Sequence, residues 1–344
     1  MKTTSHSSFS LADVVAARRR IAGGLRLTPC ALAPAFAREL GISIWLKRED
    51  LQRTGSFKER GARHALWCLT EAEKARGVVA ASAGNHALGL AFHGQQLGVR
   101  VTVVMPAGAS AVKVTRCRQL GADVVLHGAN FDAAQTHAVA RAAAGGAVLV
   151  PPFDDERVIA GQGTLALEMM EQVQAFDTVV VPVGGGGLLA GVATAIKALR
   201  PDVKVVAVEP ERAAGFSAAW RAGAPVRIAT APTLADGLAV ARVGEVAFAV
   251  ARSRVDDVVT VSEQELANAI GWLARSAGVV AEGAGAAALA AVMAGKVRTR
   301  VVIVPVTGRN VDPRAHARAV AAGGACEGIA AANQARATRR LMIS

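Results

Sequence analysis

The stretch Thr54-Gly55-Ser56-Phe57-Lys58-Glu59-Arg60-Gly61-Ala62 puts one lysine just after a glycine turn, where a helical pattern begins. Ser56 and Glu59 have the spacing of a capping box, in which a hydroxyl and a carboxylate satisfy reciprocal free backbone N–H groups. The spacing therefore predicts a helix starting here, with Lys58 in its first turn. The positive end of the helix dipole disfavours an ammonium at that position and helps the lysine become the neutral amine that a Schiff base requires. An ordinary solvated lysine in a capped helix has the same local pattern, so the stretch takes its meaning from what surrounds it.

Around it, short apolar runs alternate with helical patterns, the signature of repeated βα units and parallel sheets. Strands are expected at 43–46, 78–81, 101–105, 123–126, 147–150, 178–183, 203–208, 258–261 and 301–306. The run 301–306 is almost wholly apolar, as in a strand covered on both faces. Pro151 and Pro152 break the chain. The compact set at 78–150 reads as a smaller domain inserted into a larger one.

The chain has 344 residues, 52% hydrophobic and 19% charged, enough to bury a substantial core in two lobes. Its 39 basic and 27 acidic residues give +12, which suits a nucleic-acid surface or attraction of anionic substrates. The second is favoured: there is no tyrosine, aromatics make up only 4%, and the basic residues are scattered, so the stacking platforms of single-strand binders are missing. The local clusters, Arg18 to Arg20 and Arg336, Arg339, Arg340, read as solvated ends. Cys30, Cys68, Cys117 and Cys326 show no paired spacing, so neither a zinc site nor a disulfide framework is suggested and a reducing cytoplasm fits. Residues 1–10 lack an apolar signal core. The uncharged run 178–196 contains Pro182 and four glycines and reads as strand, loop and helix, not as a membrane span.

That run holds the second informative motif. A strand leads into Gly184, Gly185, Gly186 and Gly187 and then into a helical pattern, so backbone N–H groups converge on an anion at the helix start. Gly185, Gly187 and Ala190 also fit a dinucleotide fingerprint, with Glu209 ending the next strand at a ribose-binding distance. A nicotinamide-dependent oxidoreductase therefore stands as a rival, although the Lys58 motif and the block Ser82-Ala83-Gly84-Asn85-His86 have no place in it. The Ser82 block turns from a strand into a helix and offers backbone donors, a hydroxyl and an amide to one ligand.

With Thr28-Pro29 and the blocks 47–50, 82–86, 184–187, 209–210, 282–286 and 307–312, the Lys58 stretch resembles the fold-type II pyridoxal-phosphate (PLP) enzymes, specifically the threonine/serine dehydratase branch. The resemblance runs from Thr28 to Asp312. It implies a tryptophan synthase β-like α/β fold, two parallel-type domains with the cofactor in the cleft between them. It places the large domain at 1–68 and 150–325, the small domain at 69–149 and a tail at 326–344. The branch's catalytic portion is matched alone, so feedback through a C-terminal regulatory domain is not expected.

The resemblance further implies cofactor contacts from Lys58, Phe57, Asn85, Gly184 to Gly187, Leu188, Glu282 and Thr307. Ser82, Ala83, Gly84, Asn85 and His86 would surround the substrate. Thr307 would meet the pyridine nitrogen, and a neutral partner there favours β-elimination over transamination. Two departures stand out. Arg309 replaces a second glycine and either sits near the ring or points to solvent. Gly215 stands where relatives that bind a divalent cation beside Glu209 carry an acidic ligand, so no metal is expected.

The expected activity is a PLP-dependent ammonia-lyase acting on an L-β-hydroxy amino acid, threonine or serine by default and 3-phenylserine or another bulkier one as variants. A threonine synthase-like replacement enzyme is the alternative. A homodimer without nucleic-acid or membrane partners is expected. Racemases of the branch place a serine where this chain has Ala83.

Overall fold

The computed structural model describes residues 9–324. Cys326, the arginines at 336, 339 and 340, and the tail from 325 onward lie outside the described residues, as do residues 1–8.

Ten strands are described, in two sheets. The larger uses β1 (Cys30–Leu32), β2 (Ser43–Arg48), β7 (Thr178–Pro182), β8 (Lys204–Pro210), β9 (Asp257–Val261) and β10 (Val301–Val306), in the order β1-β2-β10-β7-β8-β9. All its pairings are parallel except β1 against β2. The smaller, fully parallel sheet uses β3 (Val78–Ala81), β4 (Val101–Met105), β5 (Asp123–Leu126) and β6 (Val148–Leu149), in the order β5-β4-β3-β6. β10 is central and buried from Val302 to Val306, as its unbroken apolar sequence requires. Among the described residues, no helix is long and apolar enough to cross a membrane.

All nine expected strands are present, with small shifts at their ends. The tenth, β1, escapes sequence reading because it is three residues long, lies at the sheet edge and leaves Ala31 and Leu32 exposed.

The helix Lys58–Trp67 packs between the helices Asn85–Leu97 and Glu156–Gln172, which brings the two sheets together around it. Glycine makes this approach possible: a Cβ on Gly161 would lie 2.5 Å from the Arg60 carbonyl oxygen and 2.6 Å from the Gly61 Cα.

The expected capping box at this helix is not formed. The helix begins at Lys58, its cap residue Phe57 is itself helical, and no side chain caps it. The turn at Gly55 (φ +84°) brings the Thr54 N–H back onto the Glu59 carboxylate, which is thereby diverted from Ser56. Ser56 is instead held through its backbone as an isolated bridge to Gly308, and its buried hydroxyl has no hydrogen-bond partner among the described residues.

A buried ionic cluster fixes the loop that carries Lys58. Arg60 forms a bidentate pair with Glu49 (2.8 Å and 2.8 Å) and a second with Glu168 (2.7 Å and 2.8 Å). Lys47 Nζ donates to Glu168 (2.6 Å) and to the Thr28 carbonyl (2.6 Å), while the Thr28 hydroxyl donates to Glu49 (2.5 Å). Burial works against the charge on Glu49, but Arg60 overcomes it and holds the carboxyl below its usual range. Burial likewise opposes Arg60, and Glu49 with Glu168 raise its pKa in spite of it.

Candidate active site

The residues singled out from the sequence follow the carboxyl ends of parallel strands, where open α/β sheets bind ligands. β2 leads to the Lys58 loop, β3 to Ser82–His86, β7 to the glycine loop and β10 to Thr307. The strands point these loops at one cleft because they are parallel.

Lys58 is half-buried, and its Nζ donates to the Pro152 carbonyl at 2.7 Å, with no carboxylate paired to it. Burial lowers its pKa to about 8, against a smaller opposing pull from Glu282. The Phe57 ring lies 5.3 Å from Nζ, and the Phe57 N–H donates to the Thr307 carbonyl at 3.0 Å.

Phe153, next to Pro152, ties the glycine loop to this lysine. A Cβ on Gly185 would lie 2.1 Å from the Phe153 ring, and one on Gly187 2.6 Å from its carbonyl oxygen. Gly186 has φ +95° and caps the helix Gly187–Leu199, whose first N–H groups have no partner in a preceding turn. Gly184 packs against Leu238, and Leu188 is buried at the helix start.

Glu282 is buried, and burial raises its pKa to about 7, although Asn85 Nδ2 donates to it at 2.6 Å. Its carboxyl costs stability when ionised: the unfolded chain gives up this proton near the ordinary carboxylate value, the folded chain only near 7, so stability falls as pH rises through that window. Glu282→Gln should therefore raise the denaturation midpoint of the cofactor-free protein more at pH 8 than at pH 5. An equal shift at both values would show that the carboxyl ionises normally.

Thr307 donates its hydroxyl to the Ala284 carbonyl at 3.2 Å. Ser82 Oγ accepts from the Gly84 and Ala87 N–H groups (3.2 Å and 3.3 Å) and so shapes its own turn. His86 holds Val150 O at 3.0 Å through Nε2, and burial pushes its pKa down to about 3. Its ring is therefore neutral, and Nδ1 has no hydrogen-bond partner among the described residues. What the block offers an anion is the set of N–H groups at the start of Asn85–Leu97, not an imidazolium. Arg309 is exposed, its N–H bound to the Gly55 carbonyl, and the side chain packs over Gly55. The solvent-facing alternative for Arg309 is the one observed.

Sequence reasoning missed a hydrogen-bond chain. Asn310 Nδ2 donates to Asn85 Oδ1 at 2.7 Å and to the Thr54 carbonyl at 2.8 Å, and Arg116 donates to Asn310 Oδ1 at 2.7 Å. This fixes the orientation of the Asn85 amide. Lys113 and Asp236 face each other at 3.8 Å near Glu282, whose charge both influence.

Glu209 serves as a cap. Its carboxylate accepts from Phe216 N (2.6 Å), Ser217 N (2.8 Å) and the Ser217 hydroxyl (2.8 Å). Both oxygens are occupied, which removes the ribose ligand that the dinucleotide reading requires. A cation there would compete with three hydrogen bonds, and no cluster of three metal-ligating side chains occurs among the described residues. Chelation should leave activity within about twofold; strong loss restored by magnesium or calcium would show that other oxygens complete a site.

A family model for pyridoxal-phosphate-dependent enzymes matches residues 21–308. The chain belongs to this family. It is 45% identical over 305 residues to an L-threonine ammonia-lyase of Thermotoga maritima, covering 88% of this chain and 76% of that one. Among solved structures, processed threonine deaminase isoform 2 of Solanum lycopersicum superposes with a TM-score of 0.86 at 37% identity, covering 92% of each chain. A serine racemase of Dictyostelium discoideum gives 0.84 at 34% identity, covering 89% of this chain and all of that one (100%).

The residues fit the family's cofactor. A phosphate needs backbone N–H groups that no side chain caps, and the start of Gly187–Leu199, with Gly186 at φ +95° and no side-chain cap, offers them. A carbonyl group needs an amine of lowered pKa, and Lys58 has it. The orphaned Ser56 hydroxyl adds a further donor beside Gly308.

Proposed function

We propose that this chain is a PLP-dependent ammonia-lyase converting an L-β-hydroxy amino acid to a 2-oxo acid and ammonia. The observation that carries the reading is the half-buried Lys58 amine, lowered to about 8 and bonded to the carbonyl of Pro152, whose neighbour Phe153 packs against the uncapped glycine loop at the start of Gly187–Leu199. The threonine ammonia-lyase relatives support the substrate class. Bound pyridoxal phosphate supplies an electron-withdrawing ring that acidifies the α-proton of an amino acid.

The chain's residues do the rest. The 184–187 N–H groups hold the phosphate with the dipole of the following helix. Lys58 would hold the cofactor's carbonyl carbon through Nζ, and its free amine would serve as the base for the Cα proton. N–H groups of the Ser82 block orient the substrate carboxylate. The Asn85 amide, fixed by Asn310, would hold the ring hydroxyl, and Glu282, bonded to Asn85, would line the ring pocket. The Thr307 hydroxyl, bonded here to Ala284 O, would offer the ring nitrogen a neutral partner. Within the described residues, 9–68 with 150–324, and 69–149, would form the two walls of the cleft.

A panel of threonine, serine, 3-phenylserine and 3-hydroxyaspartate assayed for 2-oxo acid release tests the reading. Release from at least one is expected; none from any member would refute it.

The racemase neighbour raises a second outcome for the same proton chemistry. Ala83 lies partly buried in the turn before Asn85 and carries no exchangeable proton to return to Cα from the face opposite Lys58. A positioned acid contributes ~10²–10⁴-fold, so D-isomer formation should trail oxo-acid formation by about that factor, and Ala83→Ser should narrow the gap. Comparable yields of both products from the unmodified enzyme on chiral chromatography would contradict this.

A further inference from the structure

The smaller sheet has a second concave site at the end opposite the cleft. Its strands begin there, and a cavity of about 370 Å³ opens among Arg76, Arg100, Thr102, Asp123 and Arg141 over a floor that includes Val78 and Val79. The register Val78↔Val101 and Thr102↔Asp123 puts Val78, Arg100, Thr102 and Asp123 at the amino ends of β3, β4 and β5, and Arg76 and Arg141, from the helices Glu71–Arg76 and Phe131–Gly145, line the same cavity, whereas Ser82 follows the carboxyl end of β3. The cavity is therefore separate from the glycine loop and from Lys58.

Its electrostatics are unbalanced. Arg76 Nε donates to the Gly146 carbonyl at 2.7 Å, and Arg100 donates weakly to the Arg76 carbonyl at 3.3 Å. These backbone contacts hold two guanidiniums at the rim and leave their other N–H groups uncommitted. Arg141 has no hydrogen-bond partner among the described residues. None of the three forms an ion pair there, not even with Asp123 in the same cavity, whereas Arg18, Arg48, Arg60 and Arg157 each sit on a carboxylate. Three like charges around one concavity raise a positive potential that a bound anion relieves, and the planar guanidinium fork matches phosphate oxygens in pairs. The volume lies within the ~300–1,000 Å³ typical of small-molecule sites. Thr102 and Asp123 in the lining can bind a hydroxyl or amine on the ligand.

We infer that this cavity binds a small phosphorylated metabolite. Three guanidiniums suit a multiply charged phosphate better than a single carboxylate, and the Asp123 carboxylate selects a ligand that also carries a hydrogen-bond donor.

The test is calorimetric titration of the holoenzyme with inorganic pyrophosphate at constant ionic strength, the visible cofactor band being followed in parallel. The glycine loop is then already filled. One site per chain is expected, weakened at least tenfold in Arg141→Ala and further in Arg100→Ala with Arg141→Ala. Arg19→Ala, an exposed arginine elsewhere, should change nothing. These arginines are on the surface, and retention of the cofactor band shows that the variants are folded. The inference is overturned by no binding beyond an ionic-strength control, by affinity unchanged in the double variant, by succinate binding as tightly as pyrophosphate, or by loss of the cofactor band as pyrophosphate is added.

Discussion

Lys58→Ala is expected to reduce ammonia release by at least ~10³-fold, since one positioned proton-transfer group contributes ~10²–10⁴ and this one also carries the cofactor carbon. The loss should fall on kcat. The fold should survive, because Lys58 makes one hydrogen bond, to Pro152, and its amine is held at a lowered pKa, which is a cost to the folded state. The sign follows from that value: above the unfolded lysine range both states are neutral, whereas below about 8 the folded chain must bury an ammonium that the unfolded chain solvates. Removing Lys58 should thus raise the melting temperature at pH 7 or leave it unchanged. Activity retained within tenfold, with a normal melting temperature, would show that the chemistry lies elsewhere.

Arg60→Met is expected to have the largest effect on stability. It leaves Glu49 and Glu168 in the interior with Lys47 as the remaining cation and the neutral donors Thr28 and Gln52, and breaking a buried pair from one side costs ~3–5 kcal/mol. Denaturant midpoints measured on the cofactor-free protein would show it, with Arg18→Met as the comparison. Arg18 pairs with Glu171 at the surface, where both side chains are solvated, and such a pair contributes ~0–1 kcal/mol. Equal shifts in the two variants would remove the buried cluster from any part in fixing the Lys58 loop.

The site was legible in the sequence wherever it is made of contiguous loops. A parallel sheet delivers each of its loops at a strand's carboxyl end, so the blocks at 54–62, 82–86, 184–187 and 307–312 could be read one at a time and still meet. What joins them could not be read in this way. Arg116 and Asn310 are 194 residues apart, and Asn310 and Asn85 are 225 apart; neither pair leaves a local pattern. Lys47 and Glu49 stood within a recognised block, but their work depends on Glu168, which lies 121 residues beyond Lys47. The capping box failed for a related reason. Ser56 and Glu59 have the right spacing, but the Thr54 N–H and the bridge to Gly308 claim the groups that would have closed it. His86 was read with Ser82 and Asn85 as surrounding the substrate carboxylate; the contact of its ring with the Val150 carbonyl, 64 residues away, left no local pattern.

The central claim is that Lys58 is the residue that carries the cofactor. Borohydride reduction of the holoenzyme, followed by proteolysis and mass mapping, tests it most directly. The account predicts a phosphopyridoxyl group on the peptide containing Lys58, with loss of the visible band and of activity in step. A covalent group on any other lysine, or a cofactor that washes away after reduction with Lys58 unmodified, would contradict it.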